Sequence, residues 1–203
     1  ARVRNLADMT SSIQAAYFGF IDRYQVVPGD WDGPSAATAI GVPMNSAGGN
    51  NNGRLDHPSG QEYAEPVALW EQLSKSGFLQ GAYIGGLPGD EPDVTSNQAP
   101  QNAFNSIVTI GRTPDYVGTN SVRLHVVVGR SVPASIMREL DLKLDDGIPT
   151  TGTFRATEAD AGLTVFAGTH FWGGRLAECL DAGPPVIWDV SLDAQDCNGV
   201  LLF

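Results

Sequence analysis

The chain opens on a run in which apolar residues return every three or four positions. Leu6, Met9, Ile13, Ala16 with Tyr17, Phe20 with Ile21, and Tyr24 share one face of a helix. Asp8, Ser11, Ser12, Gln14, Asp22 and Arg23 fall mainly on the other side. At ~1.5 Å per residue the run predicts a rod of roughly 35 Å over residues 2–24. No N-cap residue precedes it, so it reads as the continuation of a longer helix. Pro28-Gly29-Asp30 ends it.

Residues 30–52 are rich in Gly, Asn, Ser, Ala and Pro, lack sustained periodicity, and predict a long loop. Residues 62–76 predict a second helix, with Tyr63, Val67, Trp70 and Leu73 on one face and Gly77 as the residue past its end. Residues 81–105, with Gly85-Gly86, Pro88-Gly89-Asp90 and Pro92, predict another loop. Strands are expected from there on, at 106–110 and 121–129, joined as a hairpin through Gly118-Thr119-Asn120. A short helix capped by Ser131 should follow, with Ile136, Met137, Leu140 and Leu144 buried and Asp145-Asp146-Gly147 stopping it. Further strands are expected at 151–157, 162–167, 186–190 and 200–203, with 169–183 irregular between them. The layout is α+β: a long N-terminal helix packed on an antiparallel sheet. It is expected to form a single domain over 1–203, in three stretches, 1–27, 28–105 and 106–203.

The 42% hydrophobic content suits a folded chain, and the net charge of −11 disfavours nucleic acid and anionic membrane surfaces as partners. No apolar run reaches the ~18 residues of a membrane span. Cys179 and Cys197 are the only cysteines. In a reducing compartment they would be free and buried. Their closeness in a Gly/Asn-rich tail favours a loop-closing disulfide, hence an oxidising compartment.

Catalytic patterns are not visible. His57, His125 and His170 are isolated from one another and from the cysteines, which predicts structural or exposed roles. No nucleophile elbow and no phosphate-binding Gly-rich loop is present. Oxygen ligands gather in two places. Asn50, Asn52 and Asp56 around Gly53 have part of the spacing of a calcium loop, but the pattern fits an Asn/Gly turn better. Asp145 and Asp146 suit acid–base or cation chemistry, although stopping a helix accounts for them. No other cofactor is expected. Trp70 and Trp188 read as core, whereas Trp31 and Trp172 fall in loops where a sugar could stack on them.

Four stretches carry a resemblance to the type IV pilin and type II secretion pseudopilin superfamily. The first is the helix end Tyr24-Gln25-Val26-Val27-Pro28-Gly29-Asp30. The second is Asn51-Asn52-Gly53-Arg54 with the later Trp70-Glu71-Gln72-Leu73-Ser74-Lys75-Ser76-Gly77-Phe78-Leu79. The third and most specific is Leu142-Lys143-Leu144-Asp145-Asp146-Gly147-Ile148-Pro149-Thr150-Thr151-Gly152. The fourth is the tail, Cys197 with Val200-Leu201-Leu202-Phe203. The resemblance implies an exported, non-enzymatic fibre subunit, most simply a minor one at this length. It implies an apolar helix half before Ala1, anchored in the inner membrane and later packed in a fibre core. Other pilin or pseudopilin subunits and the inner-membrane assembly machinery are then the partners. Leu6, Met9, Ile13, Tyr17 and Phe20 are the expected assembly face, either partly covered by the sheet or exposed where neighbouring subunits would pack, and calcium is a ligand that some relatives use. The rival readings are a pilus-associated adhesin or carbohydrate-binding module and a secreted hydrolase.

Overall fold

The computed structural model describes residues 1–86, 94–166, 172–192 and 194–203. The chain divides into two compact units, Ser11–Pro100 and Ala1–Thr10 with Gln101–Phe203. The expected long helix, α1 (Arg2–Tyr24), is present and contributes its first turns to the second of these and the rest to the first. Leu6, Ile13, Tyr17 and Phe20 are buried and Met9 is half-buried. The apolar stripe of the helix is thus buried within the chain. The side left in solvent runs through Asp8, Ser11, Ser12, Ala15 and Phe18.

In the unit of residues 11–100, α1 ends where Gln25 turns left-handed (φ 58°) and Pro28-Gly29 redirects the chain. Gly29 has φ 88°, and a Cβ there would lie 2.5 Å from the Glu65 carbonyl oxygen, so only glycine fits. The expected loop after it contains a helix, α2 (Gly33–Ile40). Asp32 caps it by accepting the Ser35 N–H, and left-handed Gly41 ends it. The next helix, α3 (Ala64–Lys75), is almost wholly buried, and Phe78 and Leu79 both donate back to the Leu73 carbonyl past Gly77 (φ 82°). Phe20, Tyr24, Trp31 and Phe78 form one aromatic cluster, with ring centroids 4.7–6.4 Å apart.

The other unit is built on a four-stranded antiparallel sheet. Its strands are β1 (Thr109–Thr113), β2 (Arg123–Val127), β3 (Phe154–Ala156) and the last strand, β6 (Gly199–Leu202), in the order β1-β2-β6-β3. Register places Ile110, Val126, Leu201 and Phe154 in one row. The side chains of this row are apolar and buried, which fixes the pairing. A four-residue helix, α5 (Leu176–Cys179), leads into a small hairpin, β4 (Leu180–Asp181) and β5 (Ile187–Trp188). Helix α4 (Ala134–Leu144) joins one core with Leu6, Val128, Phe154, Trp188 and both cysteines.

Three local expectations are corrected. Ser131 does not cap α4; it is left-handed (φ 64°) and gives its N–H to Asp196, and Pro133 stands at the cap without a side-chain bond. The first strand begins at Thr109, because Asn102 draws the Phe104 and Ser106 amides onto its side chain. Residues 162–166 are no strand: a 3-10 turn spans Asp160–Gly162, and Asp115 binds the amides of Thr164 and Val165. Pro88-Gly89-Asp90, Pro92 and His170 lie outside the described residues.

Cys179 and Cys197 form the expected disulfide. It ties α5 to the entry of β6, and both sulfurs sit in the core. Closing a loop of 18 residues contributes about 3 kcal/mol in the chain-entropy model. Replacing both cysteines by serine should therefore lower urea-unfolding stability by about 2–4 kcal/mol, while thiol titration of the intact protein should find no free cysteine.

Candidate functional site

The Leu-Asp-Asp-Gly stretch at the end of α4 brings together one carboxylate oxygen each from Asp141, Asp145 and Asp146, all within 4.8 Å of one another. Asp141 is on the buried face of α4 and accepts the indole N–H of Trp188 at 2.7 Å and the Gly147 amide at 3.0 Å. Burial pushes its carboxyl up to about 6. Asp145 receives the amides of Thr153 and Phe154 and so anchors the start of β3 to the end of α4. A Cβ on Gly152, which has φ 70°, would fall on that carboxylate. Asp146 accepts from the Thr151 hydroxyl at 2.6 Å and the Ile148 amide at 2.8 Å, which holds its pKa low. Among the described residues this is the one group of three such ligands. With one oxygen each, the three carboxylates supply three of the six to eight oxygens that calcium takes, so water would have to complete a shell. Such a cation stabilises the folded state by mass action. A calcium-dependent rise in Tm that Asp146→Asn removes is the readout separating a cation site from a loop staple.

The second oxygen-rich stretch is organised otherwise. Buried Asp30 accepts the amides of Asn52 (3.2 Å) and Gly53 (2.7 Å). Asp56 takes the Asn52 side-chain amide and the Arg54 guanidinium, and its own amide goes to Glu65 at 2.6 Å. Asn50 accepts the Asn52 amide at 3.1 Å. The oxygens of Asn50, Asn52 and Asp56 are thus spent on N–H donors, the chemistry of a turn rather than of a cation cage. Burial, with Asp30 and Asp56 nearby, pushes Glu65 up to about 7.

The remaining candidates are placed as follows. His57 is half-buried, with Nδ1 2.9 Å from the Glu62 carbonyl oxygen. His125 is buried in β2, edge-on to Tyr116 and Trp172 at 5.8 and 5.5 Å. Trp70 and Trp188 are core, as expected. Trp172 is not on the surface: it is fully buried and stacked on Phe166 at 3.7 Å, so it offers no face to a sugar. Trp31 is half-buried against Phe20 and Tyr24.

The sheet unit also carries an open groove of about 750 Å³ beside the β4–β5 hairpin. Sequence reading does not find it, because its lining comes from residues 117 to 189. Sequence reading also missed Asp141, Asp115, Glu65 and Glu71 as organising residues. The available signal was an acid interrupting an apolar helix face, as at Asp141 and Glu71.

No family model, curated protein or solved structure matches the chain.

Glu65 and Asp141 both have folded pKa values raised above their ordinary 4.5 and 3.8. Their protonated forms favour the folded state. Stability from Glu65 is complete below about pH 4.5 and is lost as pH rises through about 7; for Asp141 the window is about 4 to 6. Glu65→Gln should therefore flatten the fall in unfolding free energy between pH 4.5 and 7, by on the order of 1–3 kcal/mol. Asp141→Asn should do the same between pH 4 and 6. Chemical denaturation across pH 4–8 measures both.

Proposed function

We propose that this chain is the outward-facing part of a fibre subunit of the type IV pilus or type II secretion pseudopilus class. Its work is packing rather than catalysis. The observation that carries the reading is α1, an unbroken 23-residue amphipathic helix that opens the fold and joins the core of an antiparallel sheet. The Leu-Asp-Asp-Gly-Ile-Pro-Thr-Thr-Gly stretch supports it by forming a defined knot, with Asp145 tying α4 to β3. The Cys179–Cys197 disulfide suits an oxidising compartment, and hence an exported protein. Within that class the role proposed is that of a minor subunit, acting in assembly, priming or at the fibre tip.

With Leu6, Ile13, Tyr17 and Phe20 buried, the contact surface of such a subunit would lie elsewhere. On the helix it would run through exposed Phe18; the apolar helix half that the resemblance implies would serve the membrane and the fibre core. Inner-membrane assembly machinery and other subunits are the partners in this reading. The adhesin reading loses one of its two tryptophans to the core.

Expression of the full gene with an epitope tag, followed by shearing and collection of surface or periplasmic filaments, tests the proposal. The tagged protein should co-sediment with filaments at substoichiometric amounts, and deletion should reduce filament number or secretion. Normal filaments and secretion in its absence, with the protein freely soluble, would overturn it.

A further inference from the structure

The groove beside the β4–β5 hairpin is lined by Val117, Leu180, Ala177 and Val186, with Asp181 and Asp189 among its lining residues. Both acids belong to the hairpin and its end. Each commits one oxygen locally: Asp181 Oδ1 accepts the Gly183 amide, and Asp189 Oδ1 accepts the amide and hydroxyl of Ser191. Neither is in an ion pair among the described residues. Among the described residues the lining contains no Lys or Arg.

A separate observation falls on the same segment. Nine large apolar residues are exposed among the described residues, and three of them, Ile187, Val190 and Leu192, lie within six positions. Residues 186–192 therefore offer Val186 and Asp189 to the groove and carry three exposed apolar side chains in the same stretch, while Trp188 donates its indole N–H to Asp141. Apolar surface concentrated in this way marks an interaction surface.

The geometry points to this groove as the docking site for a short cationic, apolar segment of a partner protein, with aliphatic side chains in the groove and Lys or Arg meeting Asp181 and Asp189. Charge selects this occupant. A second copy carries the same net −11 and is repelled overall. Anionic lipid is repelled by the same two carboxylates. The volume lies within the ~300–1,000 Å³ of sites that take small ligands, enough for a few side chains but not for a folded domain. The inference stands on the sheet unit alone and does not rest on the fibre reading.

The probe is the peptide acetyl-Lys-Leu-Val-Val-Leu-Lys-amide, titrated into the isotopically labelled whole chain and followed by amide chemical shifts. Shifts should concentrate at Val117, Ala177, Leu180, Ala182 and Val186. Affinity should fall about 2–5-fold for each of Asp181→Asn and Asp189→Asn, surface changes that leave the core untouched. It should weaken with added salt. The counterpart with Glu at both ends should bind at least about tenfold more weakly, and Val186→Arg should abolish binding while Tm stays within a few degrees. The proposal fails if no shifts appear at millimolar peptide, or if the two peptides bind alike. It also fails if dodecyl maltoside shifts these amides and the peptide does not. Concentration-dependent dimerisation that shifts the same amides would assign the groove to a second copy and overturn it as well.

Discussion

The structure depends on carboxylates that accept main-chain N–H groups. Much of this chain is irregular, and irregular backbone inside a protein must find partners for its amides. Helices and strands supply them elsewhere; here acidic side chains do. Asp30 holds Asn52 and Gly53, Glu65 holds Asp56, and Glu71 holds Asn45 and Ser46. Asp115 holds Thr164 and Val165, and Asp145 holds Phe154. Charge-assisted bonds of this kind are stronger than neutral ones, and each fixes a loop to a helix or a strand end.

This use of acids changes the meaning of the net charge. Part of the −11 is structural, since Asp30, Glu65, Glu71, Asp115 and Asp141 are all buried. A buried carboxylate costs desolvation, which its hydrogen bonds offset to different degrees. Glu71, with two amides and Lys75, is held below its ordinary range despite burial. Glu65, with one amide and acidic neighbours, is raised instead. The acids that remain at the surface, such as Asp181 and Asp189, are then free to set what the outer faces attract. Loops held in this manner keep a fixed shape.

The sequence reading succeeded where information is local. The 3–4 spacing of Leu6, Ile13 and Phe20 gave α1, and Gly77 past Leu73 gave the end of α3. The close cysteines gave the bridge. Helix α2 was missed because eight residues of Gly, Pro, Ser, Ala, Thr and Ile show no polar face; only Asp32 and Gly41 mark its ends. The burial of Trp172 was not legible because its ring contacts include His125, nearly fifty residues away. The reassignment of 162–166 has the same origin, since Asp115 reaches it across the sequence. The groove and the acid cluster around Asp141 depend on tertiary contacts, which no periodicity encodes.

Native-state amide hydrogen exchange tests the carboxylate account most directly. The loop amides of Asn45, Ser46, Gly53, Asp56, Thr153 and Thr164 should be protected to a degree comparable with the strand amides of Val126 and Leu201. Alanine in place of Asp115 should release Thr164 and Val165 while leaving Asn45 and Ser46 protected. Exchange of all these loop amides at the rate of an unstructured chain, with the strands still protected, would contradict it.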